Sequence, residues 1–280
     1  MRILIPVKPL FQLLSAWPLP LLHLLGAAAG WLAFLLSPTY RRRFVANALQ
    51  AGFALREVRR AVPEAGKMVL EVPRLWFGAL PAVAWDGAET IDAARAEGRG
   101  IVFLTPHLGC FEVTARAYAQ RFGPITVLYR PPRKAWLRDV VATARARPNL
   151  ATAATTLAGV RQMLRALKAG EAVGLLPDQV PPQGLGVWVP FFGRQAYTMT
   201  LPGRLVQQTG AALLLAWGER LPGGRGFCIH VRRMQGTLAP EPREAAAQVN
   251  AEMERLVRQG PEQYLWGYAR YKQPRGEALA

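Results

Sequence analysis

The stretch Ile101-Val102-Phe103-Leu104-Thr105-Pro106-His107-Leu108-Gly109-Cys110-Phe111-Glu112 sets the reading of the whole chain. Ile101 to Leu104 is a short apolar run that reads as a buried strand. Pro106 disfavours a helix running through Thr105, so His107 stands at the strand exit, in or just before a new helix turn. Glu112 to Arg121 reads as that helix. In open α/β sheets, reactive groups collect beyond the carboxyl ends of the strands. A neutral imidazole placed there can take a proton from a hydroxyl, and a carboxylate can fix its tautomer. In a continuous helix the offset between His107 and Glu112 is about 140°. The pair therefore works best with His107 in the turn and Glu112 in the helix.

The same pattern recurs along the chain. Ile125 to Tyr129 reads as a strand ending in Arg130-Pro131-Pro132-Arg133-Lys134. Trp136 to Arg147 and Leu157 to Lys168 read as helices, with Gly170 closing the second. Ala172 to Leu176 is a buried strand that stops at Pro177-Asp178-Gln179. Helix Leu201–Thr209, strands Ala211–Trp217 and Phe227–Val231, and the charged helix Ala245–Gln259 complete the alternation. Residues 41–98 read as amphipathic helix with breaks at Pro63, Pro73 and Pro81. Strands alternating with helices predict an α/β fold whose sheet is mixed, mainly parallel, and flanked by helices. His107, Arg130 and Asp178 then lie at strand ends that converge on one edge. Asp178 itself can cap a helix, hold a loop or meet a substrate.

Composition narrows the chemistry. The chain has 280 residues and a net charge of +17. Its basic residues are dispersed among Trp, Leu and Pro rather than blocked, and there is no zinc-finger spacing or RNA-recognition signature. Such a surface suits an anionic membrane, a phosphorylated lipid or an acidic carrier protein, not a nucleic acid. Ser15 and Ser37 are the only serines, and both flank the apolar N-terminal segment. A Ser-His-Asp hydrolase is thereby excluded. Of the three histidines, His23 lies in that apolar segment and His230 alternates in a strand, which leaves His107 as the candidate base. Cys110 and Cys228 suggest neither a disulfide framework nor a thiolate metal site, and Cys110 reads as a small buried residue. From Pro9 to Tyr40 there is no formal charge, and Leu19 to Leu36 is almost wholly apolar before Arg41-Arg42-Arg43. Residues 1–40 read as a membrane anchor ahead of an α/β domain over 41–280. Pro18 and Pro20 leave open whether the anchor crosses the bilayer or forms a shallow hairpin.

A base, a cationic rim and a second carboxylate fit acyl transfer to the hydroxyl of an anionic acceptor, with cations or amides stabilising the oxyanion. A thioester donor requires no metal or other cofactor. Seven blocks in order carry a resemblance: Asn47 after the arginines; Ile101 to Gly109 with Glu112; Tyr129-Arg130-Pro131; Leu164 to Glu171; Pro177-Asp178-Gln179; Val189-Pro190-Phe191-Phe192-Gly193; and Pro261 to Trp266 with Arg270-Tyr271-Lys272. On these the chain resembles the late acyltransferases of lipid A biosynthesis, within the wider His-x4-Asp/Glu acyltransferase superfamily. The resemblance implies a glycerol-3-phosphate acyltransferase-like fold at the cytoplasmic face of the inner membrane. It also implies transfer of a fatty acyl chain from acyl carrier protein to a lipid hydroxyl. On that pattern His107 matches the base, Glu112 its partner, and Arg145 and Asp178 further residues needed for activity; Arg147 offers a second register for the Arg145 match. Arg130, Arg133 and Lys134 are expected to form an anion-binding rim. Acylation of another lipid, such as an aminolipid, glycolipid or lysophospholipid, stands as the alternative, with a non-catalytic basic membrane scaffold as a third.

Overall fold

The structure is a computed structural model that describes residues 7–131, 141, 143, 147–274 and 276. Its first part is helical: α1 (Val7–Ser15), α2 (Leu19–Leu36), α3 (Pro38–Gln50), α4 (Leu55–Val58) and α5 (Ala61–Phe77). The alternating part follows with β1 (Val83–Asp86), α6 (Ala88–Ala96), β2 (Ile101–Leu104), α7 (Phe111–Arg121), β3 (Ile125–Tyr129), β4 (Leu150–Ala154), α8 (Leu157–Lys168) and β5 (Ala172–Leu175). It ends with β6 (Gly186–Phe191), β7 (Arg194–Met199), α9 (Leu201–Thr209), β8 (Ala212–Arg220), β9 (Phe227–Arg233) and α10 (Pro242–Gln259).

Seven strands form one sheet in the order β1-β9-β8-β2-β5-β3-β4, and β6 and β7 form a separate hairpin. The large sheet is parallel at every pairing except β8 with β9. β2 lies at its centre, with Ile101 opposite Ala172 of β5 on one side and Ala212 of β8 on the other. Every residue of β2 and β5 is buried, which is why both read as unbroken apolar runs rather than alternating ones. Alternate side chains feed two cores. Val102, Leu104, Val173, Leu175 and Leu213 join Met163 of α8, Leu205 of α9 and Met253 of α10. Ile101, Phe103, Ala172, Leu214 and Ile229 join Ile91 of α6 and Val113 and Tyr118 of α7.

The helical N-terminal part is folded onto this body. α2 packs along α5, burying the stripe Leu19, Leu22, His23, Gly26 and Gly30. The approach is close enough that a Cβ on Gly66 would sit 1.9 Å from the Gly26 carbonyl oxygen. Only glycine fits such a crossing. Opposite that stripe, Leu21, Leu24, Leu25, Trp31, Leu32, Leu35 and Leu36 are exposed. α2 has the length and composition of a membrane-crossing helix. One of its faces is nonetheless buried against α5.

A buried ion-pair network fastens these helices to the sheet. Arg220, at the end of β8, donates from Nε and Nη2 to the two carboxylate oxygens of Glu71 at 2.9 and 2.6 Å, and from Nη1 to Glu64 at 2.6 Å. His23 of α2 meets the same Glu71 at 3.1 Å. Burial pushes the Glu71 carboxyl up, but Arg220, with His23, outweighs it and holds it at about 2.

Some expectations change here. Pro63 and Pro73 do not break α5. Pro63 stands in the first turn, where a missing N–H costs little, and Pro73 is tolerated within the helix, which ends at Phe77. β1, β4 and the β6–β7 hairpin are not expected from sequence pattern. The first two are short strands, and of the hairpin only the fragment Val187–Val189 stands out as apolar.

Glu71→Gln should leave Arg220 short of its main counter-charge. Breaking one side of a buried pair costs about 3–5 kcal/mol, which for a chain of this size corresponds to a drop in Tm of roughly 10 °C. A carboxyl held low in the folded state stabilises fully above its unfolded value of about 4.3, and that contribution fades as pH falls towards about 2. Thermal melts between these limits should show a steep loss in the wild type and a flatter one in Glu71→Gln. Parallel curves would show that Glu71 is not the titrating group.

Candidate active site

β2, β5 and β3 are adjacent and parallel, so their carboxyl ends deliver the Thr105–Cys110 loop, the Pro177–Gln179 turn and Arg130 to one edge. The loop after β2 is held by the far end of the chain. Gly109 N–H donates to the Gln263 carbonyl at 3.0 Å, and Leu265 N–H to the His107 carbonyl at 3.1 Å. Cys110 N–H donates to the Gly218 carbonyl at 2.7 Å. Gly109 has φ +59, and a Cβ there would lie 2.1 Å from the Gly218 oxygen. A side chain at this point would push the loop off the sheet.

His107 is gripped on both ring nitrogens. Its Nδ1 lies 2.7 Å from Asp178 Oδ1, and its backbone N–H donates to Asp178 Oδ2 at 2.9 Å. Tyr264 OH donates to the same Oδ2 at 3.3 Å. Asp178 is 2% exposed. Burial alone would raise its pKa, but the His107 charge and the two bonds from His107, with Arg270 behind them, keep the carboxyl below its ordinary value. Burial, then the Asp178 carboxylate, pushes the Tyr264 phenol well up, so it remains a donor. With Asp178 ionised, Nδ1 carries the ring proton and Nε2 the lone pair. Gln179 Nε2 sits 3.0 Å from that Nε2 and donates to it. The Phe111 ring stands edge-on to the imidazole at 4.8 Å.

Glu112 stands in the helix, as expected, but the carboxylate at the His107 ring is another one. It lies in the first turn of α7, and its Oε2 accepts from Trp76 Nε1 at 3.1 Å. The carboxylate on Nδ1 is that of Asp178, from a strand end 71 residues away in sequence. The physical reason is the sheet: parallel pairing of β2 and β5 sets the Asp178 turn directly beside His107, whereas Glu112 starts the helix that leads away.

His107 and Glu112 share a cavity of about 730 Å³. Below α7 it is lined by Phe103, Gly174, Ala216, Ile229, Val231 and Trp85. Gly174 and Ala216 are small residues on the sheet face that line this part of the cavity, and a Cβ on Gly174 would press on Val127 Cγ1 at 3.3 Å. Arg116, Arg130, Arg147, Arg204 and Lys272 also line the cavity; among the described lining residues Glu112 is the one carboxylate. Arg147 donates to the Trp76 carbonyl at 2.6 Å, and Arg116 to the carbonyls of Leu75 and Gly78. Burial, then the charges of Arg147 and Arg74, lowers Arg116 to about 10. Of the expected rim, Arg130 is thus at the cavity; Arg133, Lys134 and Arg145 lie outside the described residues. Cys110 is buried, and burial followed by the Glu71 charge raises its thiol well above the ordinary value, which makes it a poor nucleophile. Among the described residues no cluster of His, Cys, Asp and Glu could hold a metal. Sequence reasoning assigns no individual role to Gln179, Tyr264 or Arg220. For the first two the available signal lies in the Pro177–Gln179 and Pro261–Trp266 blocks.

Residues 10–273 match the family model described as bacterial lipid A biosynthesis acyltransferase. The chain is 29% identical over 271 residues to the lipid A biosynthesis lauroyltransferase of Escherichia coli (strain K12), covering 91% of this chain and 86% of that protein. It is 27% identical over 219 residues to the palmitoleoyltransferase of the same organism, covering 76% and 71%. To the myristoyltransferase of that organism it is 26% identical over 187 residues, covering 66% and 58%. The three relatives carry three different acyl names.

Asp178→Asn would put a carboxamide against Nδ1 and favour the wrong tautomer. Removing the orienting carboxylate of a comparable His–Asp pair costs on the order of 10⁴ in turnover, so kcat for acyl transfer should fall by at least about 10³. Glu112→Gln, which keeps an acceptor for Trp76, should be damaging but less complete. Equal losses in steady-state kinetics of the two variants would overturn this ranking.

Proposed function

The chain belongs to the bacterial lipid A biosynthesis acyltransferase family, and from that footing we propose the reaction and the residues that perform it. The protein is an acyltransferase of lipid A biosynthesis. It takes the acyl group from the thioester of acyl carrier protein and passes it to a hydroxyl of a lipid A precursor. The observation that carries this reading is the His107–Asp178 pair opening onto an apolar slot with a cationic rim.

His107 Nε2 is the general base. It accepts the proton of the acceptor hydroxyl as that oxygen attacks the thioester carbonyl carbon. The C–S bond then breaks, the proton returns to the departing sulfur, and an ester and a free thiol remain. Asp178 holds the imidazole in the required tautomer and stabilises its charged form during the transfer. Glu112 lies beside the reacting groups, tethered by Trp76. The cavity volume falls within the roughly 300–1,000 Å³ of small-ligand sites. Its apolar part, floored by Gly174 and Ala216, receives the acyl chain. The cations at its edge, Arg130 and Arg147, face the phosphates of the acceptor or the acidic carrier protein. The exposed apolar face of α2 lies in the cytoplasmic leaflet of the inner membrane, with Arg41-Arg42-Arg43 at the headgroups.

Two measurements test the proposal. Lipid mass spectrometry of a host with and without the gene should show one added acyl chain on lipid A, and His107→Ala should abolish that product, losing roughly 10² or more in rate. A gain on another lipid, or a variant that keeps more than about a tenth of the rate, would reject it. Ala216→Leu should fill the slot under α7 and shift donor preference towards chains about two to three methylenes shorter. Each methylene is worth roughly tenfold or more in kcat/KM. Competition between saturated donors of graded length would read this shift directly, and an unchanged preference would place the acyl chain elsewhere.

A further inference from the structure

The two sides of the His107 ring are held in different ways. The Asp178 side is fixed. Its carboxylate is buried and takes three hydrogen bonds: from the His107 ring, the His107 backbone and the Tyr264 hydroxyl. The Gln179 side is not. Gln179 follows in the turn after β5 and lines the cavity. Its one side-chain hydrogen bond among the described residues is the 3.0 Å contact to His107 Nε2.

That contact occupies the atom that must accept a proton. An imidazole nitrogen has a single lone pair, and while the Gln179 amide holds it, His107 cannot act as a base. We infer that Gln179 is a displaceable cap on the base, one that restrains hydrolysis of the bound acyl thioester until an acceptor hydroxyl takes its place. The inference rests on the reading of His107 as the base of acyl transfer.

The competing reaction differs from transfer only in the attacking oxygen. Water would give its proton to Nε2, attack the carbonyl carbon and break the C–S bond, and the sulfur would leave as a thiol beside a free fatty acid. A water molecule has only its own hydrogen bond to exchange for that of Gln179. A hydroxyl on a bound lipid arrives with the binding of the whole molecule behind it. A neutral hydrogen bond shifts such an equilibrium by roughly three- to tenfold, so the cap disfavours water by about that factor while a positioned acceptor overrides it.

The test uses the full-length purified enzyme with a twelve-carbon acyl carrier protein thioester, with and without an under-acylated lipid A precursor. Gln179→Leu removes the donor and keeps the bulk; Gln179→Ala removes both. Both variants should raise acceptor-independent hydrolysis by about three- to tenfold. Transfer kcat should stay within about threefold, with an acceptor KM no higher than the wild type's, so the ratio of transfer to hydrolysis falls. Unchanged hydrolysis in both variants overturns the inference. A rise in Gln179→Ala alone also overturns it, because space rather than the amide donor would then be the cause. A joint loss of transfer and hydrolysis at an unchanged Tm would make the amide a participant rather than a restraint, and the cap would again be overturned. His107→Ala separates the two levels. If it keeps both activities, the base assignment fails and the cap fails with it. If it loses both while the Gln179 variants hydrolyse like wild type, only the cap fails.

Discussion

Arg220 is the point at which the three parts of this protein meet. It closes β8, binds both oxygens of Glu71 on α5, and reaches Glu64 on the same helix. Through Glu71 it touches His23 of α2. Its own backbone N–H and carbonyl are bonded to the Gln263 side chain, and the Gln263 carbonyl accepts from Gly109 of the loop that carries His107. A guanidinium can do this because its planar fork makes several directed bonds from one rigid group. A buried charge of this kind is tolerated only when fully paired. The arrangement therefore demands that the N-terminal helices, the sheet and the C-terminal turn all be in place together.

This junction gives a physical reason for a histidine within an otherwise uncharged apolar helix. His23 is not exposed to lipid; it is buried against Glu71. The same helix presents Leu24, Leu32 and Leu35 outward, each more than half exposed. One face is thus committed to the protein, and the other is an unbroken apolar surface of the kind that marks a membrane or partner contact. α5, against which α2 packs, also carries Leu75 and Trp76 to the cavity. The apolar surface and the cavity are joined through one helix.

At the cavity, the His107–Asp178 pair, the apolar lining and the cationic edge come from different elements. The His107–Asp178 pair is fixed by two adjacent parallel strands, β2 and β5, whose pairing leaves little freedom to either residue. The apolar part of the cavity is lined by small residues of the sheet, Gly174 and Ala216, with Phe103, Ile229 and Val231. The cationic edge is assembled from β3 and α7, the segment before β4, and α9.

Much of this was legible in the chain. Ile101 to Leu104, Ile125 to Tyr129 and Ala172 to Leu176 are short apolar runs with proline or glycine near their ends, and they fold as strands, the last ending one residue earlier at Leu175. Leu157–Lys168 and Leu201–Thr209 have the bounds their periodicity implies. The position of His107 at a strand exit followed from Pro106, and its distinction from His23 and His230 followed from their surroundings. What sequence could not supply was the partner on Nδ1. Glu112 is near in sequence and Asp178 is far, but hydrogen bonds depend on distance in space, and parallel pairing of β2 with β5 sets the distant residue closer. For the same reason the Gln179 contact, the Tyr264 donor and the Arg220 junction were invisible, since each joins residues separated by dozens of positions. Local pattern, through burial and backbone preference, determined strands β2, β3, β5, β8 and β9, most of the helices and the place of His107 at a strand exit. Only the tertiary structure decided what touches that histidine, because register and crossover connections are properties of the assembled sheet.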